Sequence, residues 1–228
     1  MEIGVEVPPS PKPRFLRRVS SLIGKADFIS IPDSPFGKPA PSSLALAVLL
    51  RNIGVNAVPN YRLMDRNELA LLSEMMGLAE LGMKRVLLVG GDPPSIGRPT
   101  GLDAVRAITL VREWGVKVKL GVATSLKPGE RLRAKLEAGA DFVVTQPIQR
   151  VEELYPISDF IGDTPLYTML MLTLAEMEES VLRAMDIEEV LDVDYKELMD
   201  RLEESGLVKG VIISSPRNHS RILEVLGG

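Results

Sequence analysis

Cysteine is absent from this chain of 228 residues, and histidine occurs once, at His219. The first absence excludes disulfides, thiol nucleophiles and cysteine-ligated zinc or iron-sulfur centres. The second leaves nothing for a histidine-rich metal site or a Ser-His-Asp triad. Aromatic residues are only 4% of the chain and the basic residues are dispersed, so nucleic-acid recognition has no support. Long apolar runs are missing as well: the longest uncharged stretches, Pro39 to Leu50 and Thr164 to Ala175, are 12 residues each, against the roughly 20 that cross a bilayer. The opening MEIGVEVPPSPKPRFLRR has no apolar core ahead of a cleavage site. It predicts no signal peptide and no membrane association, and with them a cytoplasmic protein.

What is present is a globular composition, 45% hydrophobic and 25% charged, with 19 Gly and 17 Pro. A chain of this length suits a single α/β barrel, which absorbs about 200 to 250 residues as one domain. The formal charge of -4 is unevenly spread. Residues 176–204 carry 12 acids and 3 bases, leaving 24 bases and 19 acids elsewhere. That acidic segment reads as the solvated face of surface helices, and the positive remainder as potential available to an anionic ligand.

Eight short β-branched runs recur, mostly 25 to 30 residues apart: IGVEV from Ile3, ADFISI from Ala26, NAVPNY from Asn56, RVLLVGG from Arg85, KVKLGVAT from Lys117, DFVVTQ from Asp141, TPLYTML from Thr164 and KGVIISS from Lys209. Helical patterns fill the intervals. Pro41-Ser42-Ser43, Asp65 to Asn67, Gly101-Leu102-Asp103 and Pro128-Gly129-Glu130 open apolar-periodic segments, and Gly54, Gly82 and Gly139 close three of them. Unbroken alternation predicts an α/β fold: one (β/α)8 TIM barrel spanning residues 1–228 as a single domain. The alternative, an open doubly wound sheet, usually carries a Gly-rich turn after its first strand, where Pro8, Pro9 and Pro11 stand here. After the seventh strand the interval is longer, predicting an acidic insertion at about 176–204. Helices are expected near Met177–Met185 and Tyr195–Glu204, broken at Asp192-Val193-Asp194.

Active sites of this fold lie where the strands end. That filter selects Glu6, Asp33, Asn60 to Arg62, Gly90-Gly91-Asp92-Pro93-Pro94, Thr124-Ser125, Thr145-Gln146 and Ser214 to Asn218. Alternation with Val5 and Val7 points Glu6 into the barrel mouth, where desolvation would raise its pKa toward a general acid's; the competing reading is an ion-paired strand-end Glu. Gly90 and Gly91 would let a ligand ring approach the backbone and Asp92 would supply a fixed charge, or the stretch is simply a turn. The Gln146 amide offers donors and an acceptor to a heterocycle edge, or it makes a bond within the barrel.

In order and spacing, Glu-Val-Pro-Pro after the first strand, ADFISI, VPNYRLMDRNEL, RVLLVGGDPP and KLEAGADFVVTQ resemble the methylenetetrahydrofolate reductase family over roughly residues 3–150. The resemblance implies a barrel that holds FAD and reduces the methylene of a tetrahydrofolate, or a related pterin, to methyl. An NAD(P)H or another donor reduces the flavin first. It implies Glu6 as the general acid and Asp92 as the carboxylate beside flavin and folate. Gln146 is implied as the pterin amide, and Asn60, Gly91, Asp92 and Lys135 as cofactor-binding positions.

The chain also departs from the family. Gly90 replaces an Arg after the fourth strand, and Asn60-Tyr61-Arg62 replaces His-Leu-Thr after the third. Ser125 replaces a Tyr, Pro32-Asp33 replaces Thr-Tyr, and the Glu-to-proline spacing is one residue shorter. The retained carboxylates and amide point to a reductase of one-carbon metabolism. A flavin-independent reductase and a pterin-binding, partner-dependent subunit are the alternatives, the acidic insertion then serving as docking surface. The expected partner is a small pterin or folate; a homo-oligomer is compatible with apolar helix faces.

Overall fold

The computed structural model describes residues 1–227. Eight strands run in chain order around a closed, all-parallel barrel: β1 Glu2–Glu6, β2 Phe28–Ile31, β3 Ala57–Arg62, β4 Arg85–Val89, β5 Lys119–Thr124, β6 Phe142–Pro147, β7 Leu166–Met171 and β8 Gly210–Ser214. β1 pairs with β8, which excludes the open sheet. The helices alternating with them are α1 Lys12–Ser20, α2 Ser43–Asn52, α3 Glu68–Glu80, α4 Ala104–Glu113, α5 Glu130–Glu137, α6 Tyr155–Ile161, α7 Glu179–Ala184, α8 Tyr195–Ser205 and α9 His219–Val225. Several begin at the expected caps, where a side-chain oxygen accepts from an otherwise orphaned backbone N–H. Asn67 Oδ1 accepts from Ala70 N and Asp103 Oδ1 from Arg106 N, each at 2.8 Å. The proline-rich stretch after β1 is not merely a loop. Pro13 sits in the first turn of α1, where its missing N–H costs nothing, and Phe15 and Val19 bury the helix on the barrel.

Two cores result from alternation. Outward residues such as Val5, Ile31, Val86, Val122 and Ile213 pack under the helices. Inward residues Phe28, Val58, Leu87, Phe142, Val144, Tyr167 and Ile212 fill the barrel itself. Large inward rings require small neighbours: Gly4 lies against the Phe28 ring and Gly121 against Phe142, with no room for a Cβ at either. Tyr167 meets both rings edge-on, at 6.0 and 5.7 Å between centroids. Below them the Arg85 guanidinium lies over Phe28 at 4.6 Å and donates to Tyr167 Oη at 2.7 Å and Glu2 Oε2 at 2.9 Å. The middle of the barrel is therefore filled by rings, with the Arg85–Glu2–Tyr167 cluster closing it from below and polar residues of the strand C-termini above.

Four strand ends and one helix break differ from expectation. Asn60 to Arg62, Thr124, Gln146 and Ser214 lie inside strands rather than after them, because parallel pairing continues to Arg62↔Val89, Thr124↔Thr145 and Met171↔Ser214. The break in the acidic segment is longer, running from Met185 to Asp194 between α7 and α8. It is held by packing rather than by regular structure. Met171, Leu174 and Ile187 form a small core with Met169, Met177, Leu182, Met185 and Val190 around it. The Gln149 amide clamps the segment, donating to Glu189 O and accepting from Leu191 N, both at 2.7 Å.

Candidate functional site

Strand register decides which residues share a level at the C-terminal mouth. Carried around the barrel, it sets Glu6 of β1, Asn60 of β3, Ala123 of β5 and Met169 of β7 in one layer, with Ser30 just below and Gln146 and Ser214 just above. Three of the sequence candidates are thus brought toward one space. Ser214 Oγ donates to Glu6 Oε1 at 2.7 Å, and Ser30 Oγ to Asn60 Oδ1 at 3.4 Å. Burial inside the barrel pushes the Glu6 carboxyl above its ordinary range, and the Ser214 hydroxyl opposes this only in part. A carboxyl so placed holds its proton nearer to neutral pH and keeps Oε2 free for a ligand. No ion pair is made by Glu6 among the described residues, which removes the competing strand-end reading.

Gln146 and Lys135 meet in a cavity of about 420 Å³ beside β5 and β6, whose wall also includes Thr124, Ser125, Lys127 and Arg131. Lys135, on α5, donates from Nζ to Ala123 O at 2.8 Å. Burial, and then the like charge of Arg131, lowers its pKa. Neutral amide, hydroxyls and three cations against the one carboxylate of Glu130 suit a heterocycle with an anionic tail.

The remaining candidates stand apart. Asp92 and Gly91 are exposed on the β4–α4 loop and are not gathered into the Glu6 layer. The open face expected at Gly91 is filled from within the chain. A Cβ there would stand 2.7 Å from Arg62 Nη1, so the glycine makes room for that guanidinium rather than for a ligand ring. Arg62 is 1% exposed, donating to Asp65 Oδ1 at 3.0 Å and to Asp92 O. Asp33 accepts from the Arg62 backbone N–H at 3.2 Å and from Arg66 at 3.4 Å, and burial raises its pKa. Across the end of β3 the flanking loops join, Ser95 N donating to Gly37 O at 2.9 Å. Of the cofactor positions implied by the resemblance, Gly91 faces Arg62 and Asn60 lies in the barrel layer, while Arg62 and Arg66 pair with Asp33, Asp65 and Glu74. Among the described residues no cluster of His, Asp and Glu could hold a metal ion, and no helix is long and apolar enough to cross a membrane.

The sequence reading gave Ser30, Ser214 and Arg62 no role and took Met169, in the run to Leu172, as core. Inward alternation near a strand end is the signal that marks Ser30, Met169 and Ser214. For Arg62 the signal was an Arg inside an apolar strand, with Asp33 and Asp65 as potential partners.

The family model described as methylenetetrahydrofolate reductase matches residues 10–173. Glu6 precedes that span and Ser214 follows it. No curated protein matches the sequence. Among solved structures, an uncharacterised protein from Clostridium thermocellum that binds two copies of 5-methyl-5,6,7,8-tetrahydrofolic acid is similar at a TM-score of 0.62 and 14% identity, over 99% of this chain and 93% of that one. Tryptophan synthase from Mycobacterium tuberculosis is similar at 0.59 and 14%, over 99% and 87%. A 2,3-dimethylmalate lyase is similar at 0.61 and 13%, over 93% and 75%. At such identities the structural likeness establishes the barrel alone.

Proposed function

The chain belongs to the methylenetetrahydrofolate reductase family, and on that premise we propose that it binds a reduced folate or related pterin at the C-terminal mouth and reduces its methylene to methyl. The observation that carries this reading is Glu6, a carboxyl inside the barrel whose pKa is raised and whose single hydrogen bond leaves one oxygen free. In its protonated form it donates to a nitrogen of the five-membered ring bearing the methylene. The carbon–nitrogen bond opens, an iminium cation remains on the other nitrogen, and addition of hydride yields the methyl group. Once ionised, Glu6 stabilises that cation electrostatically in a site of low dielectric. Gln146 holds the pterin edge through its amide, and Lys127, Arg131 and Lys135 attract the carboxylate tail. The binding of 5-methyltetrahydrofolic acid by a barrel that overlays 99% of this chain supports the choice of ligand.

The reductant is a separate question. FAD is the family's usual cofactor, but Gly91, one of the positions implied for it, packs against the Arg62 guanidinium, which Asp65 and the Asp92 carbonyl already hold. That observation favours a second reading, in which hydride comes directly from a nicotinamide or from a partner subunit. Calorimetric titration with 5-methyltetrahydrofolate tests the first reading, and absence of saturable binding refutes it. Glu6→Gln keeps the shape and the bond from Ser214; it should leave binding within a few-fold and lower turnover by about 10²- to 10⁴-fold. Colourless purified protein that takes up no FAD on titration supports the second reading, whereas yellow protein overturns it.

A further inference from the structure

A large cavity lies at the opposite end of the barrel from Glu6. It is about 930 Å³ in volume and opens at the N-terminal ends of the strands, against Tyr167 and Phe142 and under Arg85. Conserving a barrel needs no concavity there, since this face normally serves stability. Its charge is also unbalanced. Lys84 immediately precedes β4, Lys117 lies two residues before β5 and Lys119 begins β5, and Lys119 N donates to Lys84 O at 3.0 Å. Arg85 and Lys119 are Cα partners across the two strands, a like-charge pairing that costs stability unless something offsets it.

The carboxylates of this cavity are already engaged. Glu2 pairs with Arg85 at 2.9 Å and Lys209 at 3.8 Å, Asp141 with Arg112, and Asp27 accepts from Ile3 N at 2.7 Å. Among the described residues, Lys84, Lys117 and Lys119 are left with no carboxylate in salt-bridge range, and all three are exposed. We propose that this N-terminal-face cavity binds a small phosphate-bearing anion, with the three lysines neutralising the phosphates and Arg85 fixed behind them by Glu2 and Tyr167. A concave site with an aromatic floor fits a compact ligand better than it fits a flat macromolecular surface. The ligand is either a phosphate chain alone or one carried by a nucleoside. This inference goes beyond the folate reading and does not depend on it.

Binding is read by calorimetry, with the fluorescence of Trp114, the sole tryptophan and the sequence neighbour of the lining residue Gly115, followed alongside. Full-length protein is titrated with tripolyphosphate and with ATP at low ionic strength, and unfolding temperature is followed in parallel. Saturable binding and a raised unfolding temperature are expected. Equal affinity for both ligands assigns the phosphate chain alone, and tighter ATP binding assigns the nucleoside as well. The exposed-site variant Lys84→Ala/Lys117→Ala/Lys119→Ala should stay folded and bind at least about tenfold more weakly, the sum of three partly screened charge contacts. Undiminished binding by the variant overturns the proposal. So does equal displacement by sulfate at matched ionic strength, or saturation by an RNA oligomer but by neither small anion.

Discussion

Substituting Ala for Gly121 adds one methyl at the centre of the barrel, where the chain has no space for it. Its Cβ would stand 2.1 Å from the nearest atom of the Phe142 ring, so the ring would have to retreat by more than about 1.3 Å to restore ordinary contact. It has nowhere to go: Tyr167 meets it edge-on at 5.7 Å and is itself tied to Arg85 and Glu2. Overpacking of this kind costs about 1–3 kcal/mol, offset by up to about 1 kcal/mol from the reduced freedom of the unfolded chain. A net loss of about 2 kcal/mol corresponds to a fall of about 4–8 °C in Tm for a domain of this size. Differential scanning calorimetry measures it, with Gly77→Ala as the internal comparison. Gly77 lies inside α3 with nothing near its missing Cβ, so the same change there should raise stability by about 0.5–1 kcal/mol. Combining Gly121→Ala with Phe142→Leu should cost less than the two single changes added together, because each relieves the other. If Gly121→Ala melts at or above the parent, or if the two costs simply add, the account of the barrel interior is wrong.

Ser214→Ala removes the one contact that lowers the Glu6 pKa, so the alkaline limb of turnover should move to higher pH, read from a pH–rate profile. The sign for stability follows: with its folded pKa raised, Glu6 contributes most below its ordinary range near 4.5, and that contribution is lost as pH rises through the folded value. Gln149→Ala breaks both bonds that hold the segment after α7 and should cost about 1–3 kcal/mol locally. Hydrogen exchange should then quicken around residues 185–192, while the amides of β6 and β7 remain protected.

Much of the architecture was legible along the chain. Apolar runs of strand length at βα spacing, Asn67 and Asp103 as caps, and glycines after helices are local signals, and each of them meets its counterpart in the fold. Glu6 could be aimed into the mouth from its two valine neighbours alone. Strand ends were misjudged because polar residues such as Asn60, Gln146 and Ser214 were taken as stops, whereas inside a barrel mouth they continue the ladder and point inward.

Alternation of side chains, helix capping and the absence of Cys are properties of a residue and its near neighbours, so the sequence by itself determined the barrel, its polar mouth and the kind of chemistry open to it. Contacts between residues far apart in the chain depend on closure and on the register summed over eight strands. Only the tertiary structure could decide that Ser214 bonds Glu6 across 208 positions, that Gly91 serves Arg62 instead of a ligand, and that Gly121 faces Phe142. It also decided where three lysines at the N-terminal ends of β4 and β5 would stand without a counter-charge, at the rim of a cavity no local pattern announces.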